Sequence, residues 1–252
     1  MIVSVVATVR RERAAIERFL ASVAAQDMAG VEWEVIVAEG LSDDGTREIL
    51  DRRTREWPLL TVIDNPRRIP ATGLNAAIRR ARGDVIVRMD AHTEYAPDYL
   101  RECLAVLERT GADNVGGPAQ TRADGWLARA IAAAFHSPFA SGGAKFHDPE
   151  HEGPVDTVPY GCWRGRSLER VGLFDETLAH NQDDELNLRI VHSGGRVWQS
   201  PRIRPWYRPR AKLRSLFAQQ FQYGFWKVAV IRKHGRPPSC SPLWPRSGAG
   251  RW

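Results

Sequence analysis

The chain has 252 residues, enough for one large α/β domain or two small ones with a well-buried core. Its 43% apolar and 26% charged residues, with a mean hydropathy of -0.39, exclude general disorder. A net charge of +6 suits phosphate-bearing partners (nucleotide, nucleic acid or an anionic membrane surface) without choosing among them.

Ile2 to Ala7 reads as a buried strand, and no signal peptide precedes it. From Ala14 the apolar spacing changes to three and four through Ile16, Phe19, Leu20 and Val23, one face of a helix. Trp33 to Val37 is a second strand, and the turn Ser42-Asp43-Asp44-Gly45-Thr46 leads into a helix carrying Ile49 and Leu50. Leu60 to Ile63 is a third strand, stopped by Asp64-Asn65-Pro66. Leu74, Ala77, Ile78 and Ala81 mark the next helix, and Val85 to Met89 the fourth strand, with Asp90 at its carboxyl end. Such alternation predicts a mostly parallel sheet covered on both faces, with ligands beyond the carboxyl ends of its strands.

The texture changes after a helix near Pro97 to Arg109. Asn114 to Gly117 is a short strand, and the Gly/Pro/His-rich stretch from Phe135 to Gly153 reads as a long loop. Val155 to Tyr160 is expected as a strand and Gly161-Cys162-Trp163 as a turn. Two further helices are expected, Asp184 to His192 and Leu213 to His234. The Pro-, Ser- and Gly-rich end, 235–252, reads as an unstructured tail. Cys103, Cys162 and Cys240 are too few and too scattered for a disulfide framework. No run of about 18 apolar residues predicts a membrane span, so a cytoplasmic setting is expected.

Three acidic clusters could carry chemistry. In Asp90-Ala91-His92, residues two apart after a strand can share a side, placing a carboxylate and an imidazole on one ion; the alternative is a capping Asp and a surface His. Glu39, Asp43 and Asp44 could bind a base or ribose, or merely shape a turn. Gln182-Asp183-Asp184-Glu185 opens a helix whose dipole would lower a carboxylate pKa there, and it could aim a base at an acceptor hydroxyl or only cap the helix. Arg67, Arg68 and the Thr72-Gly73-Leu74-Asn75 helix start could face phosphates. Gly161 would let backbone approach a ligand, with Trp163 stacking on a sugar face or lying in the core. The basic, aromatic segment from Arg208 to Lys233 would lie on an anionic membrane surface or pack on the domain.

In this order the clusters resemble the family 2 glycosyltransferases with the GT-A, Rossmann-like nucleotide-diphospho-sugar transferase fold, over roughly Ile2 to Gly235. The segments are Ser4 to Glu12, Val35 to Thr46, Gly83 to His92, Val158 to Arg164, and Gln182-Asp183, followed by Gln220, Tyr223, Gly224 and Lys227. Departures are Arg11 for the usual Asn, Glu39 for Asp, His92 in the last place of Asp-X-Asp, and Gln182 for Glu. The resemblance implies one GT-A domain over 1–234: a nucleotide-sugar half (1–110), an acceptor half (111–200) and an amphipathic basic helix region (201–234). It implies nucleotide-sugar contacts from Thr8, Arg10, Glu12, Glu39, Asp44, Arg67, Asn75, Asp90, Gly161 and Trp163. Asp90 and His92 would hold Mg2+ or Mn2+, and Asp183 would be the general base of an inverting displacement. The implied partners are a UDP-sugar, a saccharide or polyprenyl-diphosphate-linked acceptor of exopolysaccharide synthesis, and the inner face of the membrane. Nucleic acid is not expected, because the basic residues form no recognised reading module. An inactive or truncated transferase-like scaffold is the alternative.

Overall fold

The computed structural model describes residues 1–118, 120–122, 130, 145–207 and 213–235. The tail expected beyond Gly235 and the 135–144 part of the expected loop lie outside the described residues.

The first half alternates as expected: β1 (Ile2–Val9), α1 (Ile16–Ala24), β2 (Glu32–Glu39), α2 (Thr46–Glu56), β3 (Leu60–Asp64), α3 (Pro70–Arg80) and β4 (Val85–Arg88). On β1, Val3, Val5 and Ala7 enter one core cluster with Ile16, Phe19, Leu20 and Val23 of α1, while Val6 enters the opposite cluster with Leu74 of α3. Pro70 opens α3 at the one place where its missing N–H costs nothing. β1 pairs in parallel with both β2 and β4, so the chain winds outward from β1 in two directions. That reversal leaves a crevice at the carboxyl ends of β1 and β4.

After α4 (Tyr99–Thr110) come the short strands β6 (Asn114–Gly116), β8 (Gly153–Pro154), β9 (Cys162–Arg164) and β10 (Val197–Gln199), completing the order β3-β2-β1-β4-β9-β6-β10-β8. The sheet is mixed, with four parallel and three antiparallel pairings. β9 runs antiparallel to both β4 and β6, and β8 antiparallel to β10. Strands of two or three residues carry no periodicity from which direction could be read.

Two local expectations are corrected. Residues 155–160 join no ladder, and the strand forms instead at Cys162–Arg164, where a turn was expected. Tyr160 and Gly161 have φ of 61° and 40°, which breaks the extended run just before β9. Gly161 cannot carry a side chain, because an added Cβ would sit 2.2 Å from the Trp163 ring.

A small second sheet, β5 (Thr93–Tyr95), β11 (Pro205–Tyr207) and β7 (Gln120–Thr121), begins three residues past Asp90. Helices α5 (Gly165–Val171) and α6 (Gln182–His192) follow β9, and α7 (Leu213–His234) closes the described chain. Of the described helices, none is long and apolar enough to cross a membrane.

Candidate active site

Beyond β4 a cleft of ≈ 690 Å³ opens between the small sheet, the start of α6 and the side of α7. At its inner end lies Arg88, 7% exposed. Its Nε and Nη2 donate to the two oxygens of Asp90 (3.1 and 2.9 Å), and its Nη1 to both oxygens of Asp183 (2.5 and 2.7 Å). A guanidinium is the side chain whose fork can satisfy two carboxylates at once, and a charge this buried demands such partners. Asp90 is further fixed by its backbone N–H, which donates to the Tyr95 hydroxyl at 2.7 Å.

Asp183 occupies the second position of α6, and the structure reverses the expected direction of its pKa. Burial pushes it above the ordinary carboxylate value; Arg88 opposes this, while Asp90 and Asp184 push it further up. Desolvation therefore outweighs the helix-start field. The same burial would penalise the charge on Arg88, yet Asp183 and Asp90 hold it firmly protonated. Asn181, at φ 61°, starts α6, and its Nδ2 donates to the Tyr223 carbonyl of α7 (3.2 Å), fixing the position of Asp183.

His92 also lines the cleft, with its Nε2 3.0 Å from Glu12 Oε1, so the loop after β1 reaches the cleft edge. Glu12 is held there by its N–H donating to Thr46 Oγ1 at 2.8 Å. This donor set fits a hard divalent cation brought by a substrate. Asp90, its side chain 24% exposed, offers oxygen ligands, with His92 and Glu12 beside it. Among the described residues no group of three His, Cys, Asp or Glu side chains could hold an ion alone. Phosphate oxygens would have to complete the shell, the usual manner for magnesium.

Several residues expected at the ligand make contacts within the fold. Glu39 is buried at the end of β2 and accepts the N–H groups of Leu41 (3.0 Å) and Ser42 (2.8 Å), so its carboxylate shapes the turn. Asp44 accepts from the Thr46 N–H (3.1 Å) and hydroxyl (2.6 Å), steadying the start of α2. Asn75 is buried, accepting from Phe174 N and donating to Phe174 O and Glu176, which clamps α3 to the segment before α6. Arg67 pairs with Glu176 at 2.6 Å. Trp163 is 1% exposed and packs edge-on against Phe174 at 5.7 Å, so its ring lies in the core and faces no sugar. Thr8 is half-buried with its methyl against Gly73, and Arg10 is exposed with its stem over Gly40. Of the implied set, Asp90, His92 and Asp183 share the cleft.

Arg88 was missed by the motif reading. Its signal was present as the one charge closing the apolar run Val85-Ile86-Val87. Tyr160 was also missed as a cleft residue; it accepts the Thr93 hydroxyl at 2.8 Å.

The mixed α/β sheet, with two carboxylates meeting at a switch-point crevice, resembles the nucleotide-sugar transferase type of fold. Residues 4–169 match the family described as Glycosyl transferase family 2, and the chain belongs to that family. It is 34% identical over 213 residues to the succinoglycan biosynthesis protein ExoA of Rhizobium meliloti (strain 1021), covering 84% of this chain and 64% of that protein. It is 26% identical over 216 residues to a dolichyl N-acetyl-alpha-D-glucosaminyl phosphate 3-beta-D-2,3-diacetamido-2,3-dideoxy-beta-D-glucuronosyltransferase of Methanococcus voltae, covering 82% of this chain and 67% of that protein. The chain thus spans about two thirds of the length of these relatives. Among solved structures, the mannosyltransferase PcManGT from Pyrobaculum calidifontis in complex with GDP-Man and Mn2+ superposes with a TM-score of 0.71 at 23% identity, covering 95% of this chain and 66% of that one. S. aureus TarS 1-349 in complex with UDP-GlcNAc superposes with a TM-score of 0.62 at 17% identity, covering 83% and 59%. At these identities the superpositions establish the fold.

Proposed function

We propose that this chain is an inverting, metal-assisted glycosyltransferase, moving a hexose from a UDP- or GDP-sugar to a hydroxyl of a saccharide or polyprenyl-diphosphate-linked acceptor. The observation that carries the reading is the meeting of Asp90 and Asp183, 93 residues apart in sequence, on one guanidinium in one cleft. Relatives of this fold bound to GDP-Man with Mn2+ and to UDP-GlcNAc support a nucleotide-sugar donor.

In this reading Asp90, with His92 and Glu12 beside it, holds the divalent cation and diphosphate. The cation, when bound, offsets charge on the departing diphosphate. Asp183 receives the acceptor's hydroxyl proton as that oxygen attacks the anomeric carbon from the face opposite the diphosphate. One carbon–oxygen bond forms as the other breaks, so the configuration inverts. A carboxylate held above its ordinary pKa is a stronger base for this step.

The acceptor reading draws on α7. Phe217, Phe221 and Phe225 stand 73%, 61% and 60% exposed at four-residue spacing, one apolar stripe beside the cleft. Such a stripe suits the acyl boundary of an anionic membrane, at whose cytoplasmic face a lipid-linked acceptor would lie.

The decisive measurement is a titration of UDP- and GDP-sugars with and without Mn2+, followed by transfer assays. Asp90→Asn should weaken Mn2+-dependent donor binding about tenfold or more. No donor binding by the wild-type chain under any metal condition would leave the scaffold reading in its place.

A further inference from the structure

Arg88 places a fixed positive charge where a cation is expected. Its guanidinium contacts all four carboxylate oxygens of Asp90 and Asp183 at 2.5–3.1 Å. It cannot readily swing away. The residue is 7% exposed, its backbone N–H donates to the Gly161 carbonyl at 3.1 Å, and β4 is paired on both sides, to β1 and to β9. A free hydrated ion approaching Asp90 therefore meets oxygens already engaged by a cation. It finds two carboxylates reduced to a single net negative charge. Among the described residues no group of three His, Cys, Asp or Glu side chains could hold the ion, so His92 and Glu12 at the cleft edge do not by themselves offset its dehydration.

We propose that Arg88 is a resident counter-cation that keeps free divalent metal off Asp90, so that the ion enters only together with a nucleoside diphosphate. Phosphate oxygens would supply the ligands that the protein lacks, and Asp90, still paired with Arg88, would add its carboxylate to them. Through the same bridge Arg88 is a positioning residue for Asp183, holding it still while the donor site fills. The inference rests on the reading of Asp90 as the metal and diphosphate residue.

The test is a Mn2+ titration followed by electron paramagnetic resonance on the full chain, as wild type, Arg88→Gln and Arg88→Lys, each alone and with UDP or GDP. The wild type should bind Mn2+ at least tenfold more tightly with a nucleoside diphosphate than without. Arg88→Gln, which removes the charge, should bind Mn2+ alone about tenfold more tightly than the wild type. Arg88→Lys, which keeps the charge, should stay within about threefold of it. A residue that merely braces the fold would weaken metal binding when replaced, never strengthen it. Arg88→Gln binding the ion no better than wild type would overturn the inference, as would wild type binding it equally well without nucleotide. Should Arg88→Gln fail to fold by circular dichroism, the wild-type comparison and Arg88→Lys still decide. Donor binding at saturating Mn2+ reads the functional proposal separately, because the metal-alone comparison between variants needs no nucleotide.

Discussion

Asp183 concentrates the chemistry of the site in one side chain, and its environment sets opposite demands on activity and stability. Its folded pKa is raised, first by burial and then by Asp90 and Asp184. A raised carboxylate contributes stability that is complete below its ordinary value of about 3.8 and is lost as pH rises through the folded value. At neutral pH the ionised form is therefore the strained one. Asp183→Asn should cut turnover by about 10²–10⁴-fold, the usual range for a general base. Wild-type turnover in this variant would remove the assignment. In the wild type, the acid limb of the kcat/KM profile should fall above 3.8, a direct reading of the raised value.

At the scale of elements, the contact of α7 with α6 decides whether the cleft has a wall. Val230, Trp226 and Ala229 of α7 pack on Leu178 and Leu188, a small cluster separate from the main core. Around it Lys233 Nζ donates to Asp175 (2.6 Å) and to the buried Glu185 (2.7 Å), which Arg189 and His234 also contact. Burial would raise Asp175, but Lys233 and Thr177 draw it down to about 2. This contribution is present above about 3.8 and is lost as pH falls through about 2. Hydrogen exchange of α7 amides should accordingly accelerate near pH 2–3 before the central sheet opens. Lys233→Met leaves Glu185 with one cation fewer and should cost about 1–3 kcal/mol in denaturant unfolding. Between β4 and β9 the critical element is the reversal at Gly161. Gly161→Ala combines a left-handed backbone with a clash against the Trp163 ring and should cost about 1–3 kcal/mol by the same assay.

For the whole molecule, the strand order brings remote segments to one place. β1 lies between β2 and β4, so the loop carrying Glu12 and the loop carrying Asp90 and His92 emerge side by side. β9 then docks antiparallel on β4, and the chain that follows it delivers α6 and Asp183 to the same crevice. The exposed aromatic stripe of α7 belongs to this scale too. Replacing Phe221 and Phe225 with Ser should abolish co-sedimentation with vesicles rich in anionic lipid while leaving the melting temperature within a few degrees. Vesicle binding that survives the double substitution would remove the membrane reading.

Local signals were strong where an element was long. Apolar runs of four to six residues placed β1 to β4, three-and-four spacing or turn signals placed α1 to α4, and Asp90 and Asp183 stood out at a strand end and a helix start. The order of residues also carried the family resemblance that the profile match bears out. Tertiary structure alone decided the rest. The direction of β9 was not legible, because three residues have no periodicity, and pairing across the sheet chose it. Nor did local pattern say which way a side chain would turn: Glu39 folds back onto its own turn, Asn75 clamps Phe174 and Trp163 fills the core. A polar or aromatic residue in a motif can contact ligand or fold equally well, and its contacts within the fold depend on atoms remote in sequence. Arg88 shows the converse. One charge ending an apolar strand acquires its meaning only when Asp183, 95 residues further on, joins the neighbouring Asp90 upon it.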